Sequence, residues 1–213
     1  MIRWFGSRAP KEVQRQNKPP ESQTSVHTSL AFNVVYHQLR KDRKFHVLDL
    51  GSACKQNIDF FAQFPCKVYI EDLYDTLASF DYLSPEDGFS YERIFDYLLP
   101  YRNDTHFDLI LAWDLFNYLD REQFHHLVRH LRKFSRKGTV IFSLISTLKH
   151  LPEKPIQFRI LDSERLLYET RSTVLRACPR YQQTDLDHIL NGFRTCNSFL
   201  LRNGFKEYLF LSE

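Results

Sequence analysis

Between residues 47 and 57 the chain reads Val47-Leu48-Asp49-Leu50-Gly51-Ser52-Ala53-Cys54-Lys55-Gln56-Asn57, and no other stretch restricts the fold as strongly. Apolar and nearly apolar residues predict a short buried strand. The small residues after it predict a tight turn. Ile58, Phe61 and Ala62 then fall on one side of a helix. Strand, glycine turn and helix in that order are how an open α/β sheet builds a ligand site at the carboxyl end of its first strand.

The following segments fit around such a site. Residues 67–72, Lys-Val-Tyr-Ile-Glu-Asp, predict a second short buried strand ending in two carboxylates. They lie about 20 residues past the glycine turn, where doubly wound folds place an acid that accepts two hydrogen bonds from a ribose diol. Asp72 is the first choice for that role and Glu71 the second. Residues 107–114 form a third apolar run, which emerges at Trp113-Asp114. Asp120 with Gln123 makes a capping-box pattern, and Phe124, Leu127, Val128 and Leu131 repeat with helical spacing. Gly138 predicts a turn, and residues 139–145 another buried strand. Repeated strand–helix–strand units argue for a parallel sheet covered on both faces.

The remaining segments carry fewer signals. A helix is expected over residues 24–41, with Thr24, Ser25 and Thr28 as candidate caps. Residues 91–99 predict a helix closed by Pro100. No strand can be placed elsewhere between residues 76 and 104. Ile156, Phe158 and Ile160, then Leu166 and Tyr168, alternate around a turn at 161–164 and predict an inserted antiparallel hairpin. Thr184 is the expected cap of a short helix over 185–190 that Gly192 stops. Two strands, 193–201 and 205–211, join through Asn203-Gly204, a strong hairpin signal.

Composition narrows the function classes. The 213 residues suit one α/β domain, and 19 Phe and 11 Tyr against a single Met predict a core filled with rings. A net charge of +3 argues against nucleic acid as the partner, and Asp162, Glu164 and Glu169 interrupt the arginines of the inserted region. Cys54, Cys66, Cys178 and Cys196 lie far apart, which predicts reduced thiols in a cytoplasmic protein. No apolar run is long enough for a transmembrane segment, and the first residues do not read as a signal peptide. Residues 1–23 read as a flexible basic tail with Trp4-Phe5 as a candidate anchor for a protein partner's groove or a membrane surface, and residues 24–213 as the folded domain. His126 and His130 stand four apart, but nothing near them completes a metal site, so a solvated helix face is expected. Cys54 reads as a small turn residue rather than a nucleophile, because no base is evident beside it.

Taken together these stretches resemble a known family. Val47-Leu48-Asp49-Leu50-Gly51 is similar to motif I of the class I S-adenosylmethionine-dependent methyltransferases. Ile70-Glu71-Asp72 is similar to their second-strand acidic motif, and residues 107–114 to their fourth-strand motif. Residues 138–145 resemble their fifth strand, and the Asn203-Gly204 hairpin resembles their closing pair. The likeness covers about residues 25–213. It implies a Rossmann-like seven-stranded sheet with a C-terminal antiparallel hairpin, to which this chain adds the inserted β-hairpin. It also implies S-adenosyl-L-methionine as cofactor, held by Asp49, Gly51, Ser52, Ala53 and Asn57, with Asp72 or Glu71 on the ribose and Trp113 and Asp114 at the methionine amino group. The methyl acceptor is left open. Asp114, Asn117 and Tyr118 are the candidates by location for a catalytic base. Ser52, Ala53 and Cys54 stand where the family pattern carries further glycines, which motivates an alternative: a non-catalytic binding or scaffold protein of the same fold.

Overall fold

The computed structural model describes residues 23–39, 43–80, 90–102 and 104–213. The chain begins with β1 (Gln23–Thr28) and α1 (Leu30–Gln38). Next come β2 (Phe45–Asp49), α2 (Lys55–Phe61), β3 (Cys66–Ile70), α3 (Leu73–Phe80), α4 (Tyr91–Leu98) and β4 (Phe107–Trp113). A 3₁₀ turn over Leu115–Tyr118 leads into α5 (Arg121–Arg132) and β5 (Ser135–Ser146). The insert holds β6 (His150–Pro152), β7 (Gln157–Ile160), β8 (Arg165–Thr170) and β9 (Leu175–Ala177). The chain closes with α6 (Gln183–Ile189), β10 (Phe193–Leu200) and β11 (Phe205–Ser212).

The central sheet has the order β10-β11-β5-β4-β2-β3. Its β3, β2, β4 and β5 strands run parallel, whereas β11 is antiparallel to β5 and β10 antiparallel to β11. Parallel strands are buried on both faces, so alternate residues of one strand enter different cores. Leu48, Ile110, Ala112 and Ile141 face one core, shared with α4, α5 and α6. Val47, Leu109, Leu111 and Phe142 face the other, shared with α1, α2 and the insert. Within the insert β7 and β8 form an antiparallel pair, and β1 adds to β8 as a third strand. A separate pair, β6 with β9, lies at the insert's base.

Several expectations need correction. The main sheet holds six strands among the described residues, not seven. Between α3 and β4 the described residues form α4 and then an irregular segment. Pro100 breaks the backbone there, and Tyr101 lies edge-on to Tyr69 and Phe107. The half-buried β3 is therefore the sheet edge rather than an interior strand. The helix expected over 24–41 is β1 followed by α1, capped by Ser29, whose hydroxyl accepts from Phe32 N–H at 3.0 Å. Residues 24–28, read as candidate caps, instead pair with β8 as a strand. Gly138 lies inside β5, at φ +95°, where the register against β4 shifts, and is not a turn between elements. In α2 the buried side carries Asn57, Phe60 and Phe61, and Ile58 is 46% exposed. α6 spans Gln183–Ile189, so Thr184 lies inside it rather than capping it, and Asp185 Oδ2 accepts from Gln182 N–H at 3.0 Å at its start. His130 is buried rather than solvated: its Nε2 lies 3.3 Å from Leu99 O, and its ring packs near Phe95 and Phe134. No group of metal-ligating side chains occurs among the described residues, and no helix there is long and apolar enough to cross a membrane. The proposed tail falls outside the described residues except for Gln23, the first residue of β1.

The helical layer over the first core depends on stacked rings. Phe124 of α5 is fully buried, stacks on Phe116 at 4.2 Å between centroids and meets Tyr181 at 5.2 Å. Removing that ring leaves a cavity between layers that close-packed neighbours fill only in part. Phe124→Ala is therefore expected to lower the unfolding free energy by roughly 3–5 kcal/mol. Urea titration checks it, with the midpoint moving and the slope unchanged.

Candidate functional site

The chain runs from β2 to β3 on one side and later places β4 on the other side of β2. The strand order reverses there, so the segments that follow β2 and β4 turn to opposite faces of the sheet and leave a crevice beyond the carboxyl ends, the position where open α/β sheets bind ligands. The crevice is a cavity of about 180 Å³ lined by Gly51, Ser52, Asp72, Trp113 and Asp114 from the strand ends, Asn57 from α2, and residues 154–158 of the insert.

Asp49 is buried at the end of β2. Its Oδ1 accepts from Gly51 N–H at 3.0 Å and from the Trp113 indole N–H at 2.6 Å. Burial pushes its carboxyl up to about 6 even though those two donors favour the charged form. Trp113 has φ +46°, the left-handed region that a bulky residue occupies only when its surroundings hold it there. The hold is visible: Asp49 takes the indole N–H, Phe158 stacks parallel to the ring at 5.4 Å, and Ser143 Oγ donates to the Trp113 carbonyl at 2.9 Å. A Cβ on residue 51 would lie 2.7 Å from the indole Cδ1. Gly51 is thus required by the tryptophan that crosses the turn.

Across the crevice, Ser52 Oγ donates to Asp72 Oδ2 at 2.6 Å, which joins the turn after β2 to the segment after β3. Asp72 is half-buried and lines the cavity. Glu71 points elsewhere and accepts from the Tyr101 hydroxyl at 2.7 Å. The geometry separates the two acids that the sequence left open.

The other candidates hold the insert in place. Asn57 donates from Nδ2 to Phe158 O at 3.1 Å and accepts at Oδ1 from Ile160 N–H at 2.8 Å. Asp114 accepts from Ile156 N–H at 3.1 Å, and burial pushes its carboxyl up to about 7. Tyr118 donates to the Pro152 carbonyl at 3.1 Å. Asn117 lies behind them, its amide bonded to Asp114 O, Leu144 O and Ser146 N–H. Together these groups tie the insert across the mouth of the crevice. Of the sequence candidates, Gly51, Ser52, Asn57, Asp72, Trp113 and Asp114 meet at the cavity; Asp49, Ala53, Glu71, Asn117 and Tyr118 are not part of its lining. Cys54 is the cap of α2, its Sγ accepting from Asn57 N–H at 3.4 Å.

Sequence reasoning missed the wall contributed by Lys154, Ile156, Gln157, Phe158 and Arg171, along with Tyr74 and Asp75 of α3. The alternation of residues 156–168 signals a hairpin but not which core receives it. Phe158 provides the one usable signal: an aromatic at the inward phase of that hairpin needs a buried partner, here Trp113.

No protein-family model matches the chain, and no curated protein matches it. Solved structures do. An S-adenosylmethionine-dependent methyltransferase from Clostridium acetobutylicum superposes with a TM-score of 0.51 at 11% identity, over 85% of this chain and 89% of that one. A 1,6-didemethyltoxoflavin-N1-methyltransferase from Burkholderia thailandensis, crystallised with S-adenosylhomocysteine, gives 0.48 at 12% identity, over 85% and 76%. The first likeness shows the fold, and at such identity the fold alone: the chain has the class I methyltransferase fold.

The raised carboxyls fix a pH dependence. Asp114 titrates near 3.8 when unfolded and near 7 when folded. The stability it contributes is fully present below its unfolded pKa and is lost as pH rises through about 7. Asp114→Asn keeps an oxygen that accepts from Ile156 N–H but cannot ionise. Between pH 5 and pH 8 wild type is expected to lose on the order of 2–3 kcal/mol relative to Asp114→Asn. Paired urea titrations read the difference and cancel the histidines common to both; a gap that does not change with pH contradicts the assignment.

Proposed function

We propose that the crevice binds S-adenosylmethionine and that the chain is a methyltransferase whose acceptor is not yet known. The observation that carries this reading is Asp72. A half-buried carboxylate, steadied by Ser52, faces the cavity at the switch point, where it can accept two hydrogen bonds from a ribose diol. The rest of the cavity suits the other parts of that molecule. Leu50, Ala112 and Leu115 offer apolar surface to a base, and Trp113 offers an aromatic ring near where a sulfonium would lie.

Ligand pockets commonly enclose about 300–1,000 Å³, and the cavity here is about 180 Å³. In this reading the insert segment 154–158 moves outward to admit the ligand and closes over it. Bound S-adenosylmethionine supplies a methyl group already activated by its sulfonium. The protein's share is positional: Asp72 and the glycine turn orient the nucleoside, and the insert excludes water. Asp114 lies at the cavity with a carboxyl that titrates near neutrality, which suits a proton acceptor, although its bond to Ile156 N–H already gives it a structural task. Cys54, Cys66, Cys178 and Cys196 are all free thiols, which supports a cytoplasmic location.

A non-catalytic binding protein of the same fold is the second reading. The observation favouring it is that Asn57 and Asn117 spend their side-chain amides on backbone groups. Calorimetry with S-adenosylhomocysteine tests the first reading. Wild type is expected to bind at micromolar concentration, and Asp72→Ala to bind roughly 10- to 100-fold more weakly while still unfolding cooperatively, at a somewhat lower temperature because it loses the bonds from Ser52 and Asp75 N–H. Equal affinity in the two proteins would remove Asp72 from the site. No heat from a folded wild type would leave the second reading standing.

A further inference from the structure

Two cavities meet at one side chain. The cavity at the strand ends and an open cleft of about 330 Å³ beside it share Arg171, which follows β8. The cleft is lined besides by Gln23, Thr170, Ser172 and Thr173 and by Pro152 and Leu175. Arginines on the strands of the insert are matched: Arg159 pairs with Glu169 and Arg165 with Asp162. Arg176 lies over the Tyr118 ring at 5.5 Å. Among the described residues Arg171 donates to the neutral Gln157 amide oxygen and forms no ion pair with a carboxylate. A guanidinium carries five N–H donors in a planar fork suited to carboxylate or phosphate. Arg171 stands in the wall shared by the two cavities; the first also holds Asp72, Asp75 and Asp114, whereas the cleft is lined by no carboxylate among the described residues, so the cleft side of the guanidinium is where an anion fits.

We propose that this cleft is the methyl-acceptor subsite and that the acceptor is a small molecule bearing an oxyanion, a carboxylate or a phosphate, which Arg171 grips while the nucleophilic end reaches past it into the first cavity. The assignment rests on the reading above, that the first cavity holds the methyl donor. The insert then has a double role: β7 covers the donor, and the segment after β8 selects the acceptor by charge. The Thr173 hydroxyl at the cleft wall supplies a further donor to the same anion, while the Ser172 hydroxyl is bonded to Val174 O and N–H.

The test uses the full chain, with inorganic phosphate and acetate as probes. Nuclear magnetic resonance follows the Arg171 side-chain N–H and the amides of Thr170, Ser172 and Thr173. Saturable shifts confined to these groups are expected in wild type, weakened at least tenfold in Arg171→Gln and partly kept in Arg171→Lys. The tighter probe identifies the oxyanion. Shifts that do not saturate, or that persist unchanged in Arg171→Gln, overturn the proposal. Calorimetry on the same samples separates the donor site. Unchanged S-adenosylhomocysteine affinity in Arg171→Gln supports the acceptor role. A tenfold loss with 5′-methylthioadenosine binding intact would show that Arg171 holds the donor's own carboxylate, and would overturn it. If wild type binds phosphate at Arg171 but not S-adenosylhomocysteine, the oxyanion site stands and its role as an acceptor subsite falls with the donor reading.

Discussion

The hydrogen bond from the Trp113 indole to Asp49 organises the carboxyl end of the sheet. It joins the last residue of β2 to the last residue of β4, the two strands that part at the switch point. To make it, Trp113 adopts a left-handed backbone, and its ring crosses the turn closely enough that residue 51 must be glycine. The outer face of the ring then receives Phe158, which seats the insert. Strain at a non-glycine residue costs about 1–3 kcal/mol and persists only where neighbours over-determine it. Here a buried carboxylate, a serine hydroxyl and a stacked ring do so.

The consequence for the crevice is a trade between closure and room. Asn57, Asp114 and Tyr118 bind backbone groups of the insert, so its presence over the mouth is specified by several buried contacts. A buried polar group left without a partner costs about 1–3 kcal/mol, so opening the insert requires water or ligand to satisfy these groups. Asp72 makes no bond to the insert: it accepts from Ser52 Oγ, also at the cavity wall, and from Asp75 N–H at 3.4 Å. The far end of the cavity is thus closed by the insert, whereas the end that the proposed reading gives to the ribose holds Asp72 and Ser52.

Much of this was legible in the residues because burial dictates it. Strands β2, β4 and β5 are apolar on both faces, and only a covered parallel sheet accommodates that pattern. Gly51 marked the turn, although the sequence could not say that an indole sixty residues away required it. The choice between Asp72 and Glu71 turned on side-chain direction, which a one-residue change reverses at a strand end. Residues 24–28 misled because Thr24, Ser25 and Thr28 read as caps, although Thr24, Val26 and Thr28 are β-branched at alternate positions; β8 supplies the pairing partner from about 140 residues further along. The seventh strand was inferred from resemblance, and the described chain puts α4 and Tyr101 against the sheet instead. Asn117 and Tyr118 were candidates by position, but position near a site does not reveal which buried carbonyls need a donor.

What links the fold to the proposed chemistry is the claim that the switch-point crevice is a nucleoside site and that Asp72 reads its ribose. A crystal structure of the protein grown with S-adenosylhomocysteine addresses this most directly. The account predicts the ribose hydroxyls within hydrogen-bond distance of Asp72, the base between the strand ends of β2 and β4, and residues 154–158 displaced from their closed position. Ligand bound elsewhere on the chain, or a ribose that contacts Glu71 and leaves Asp72 on Ser52, would contradict it.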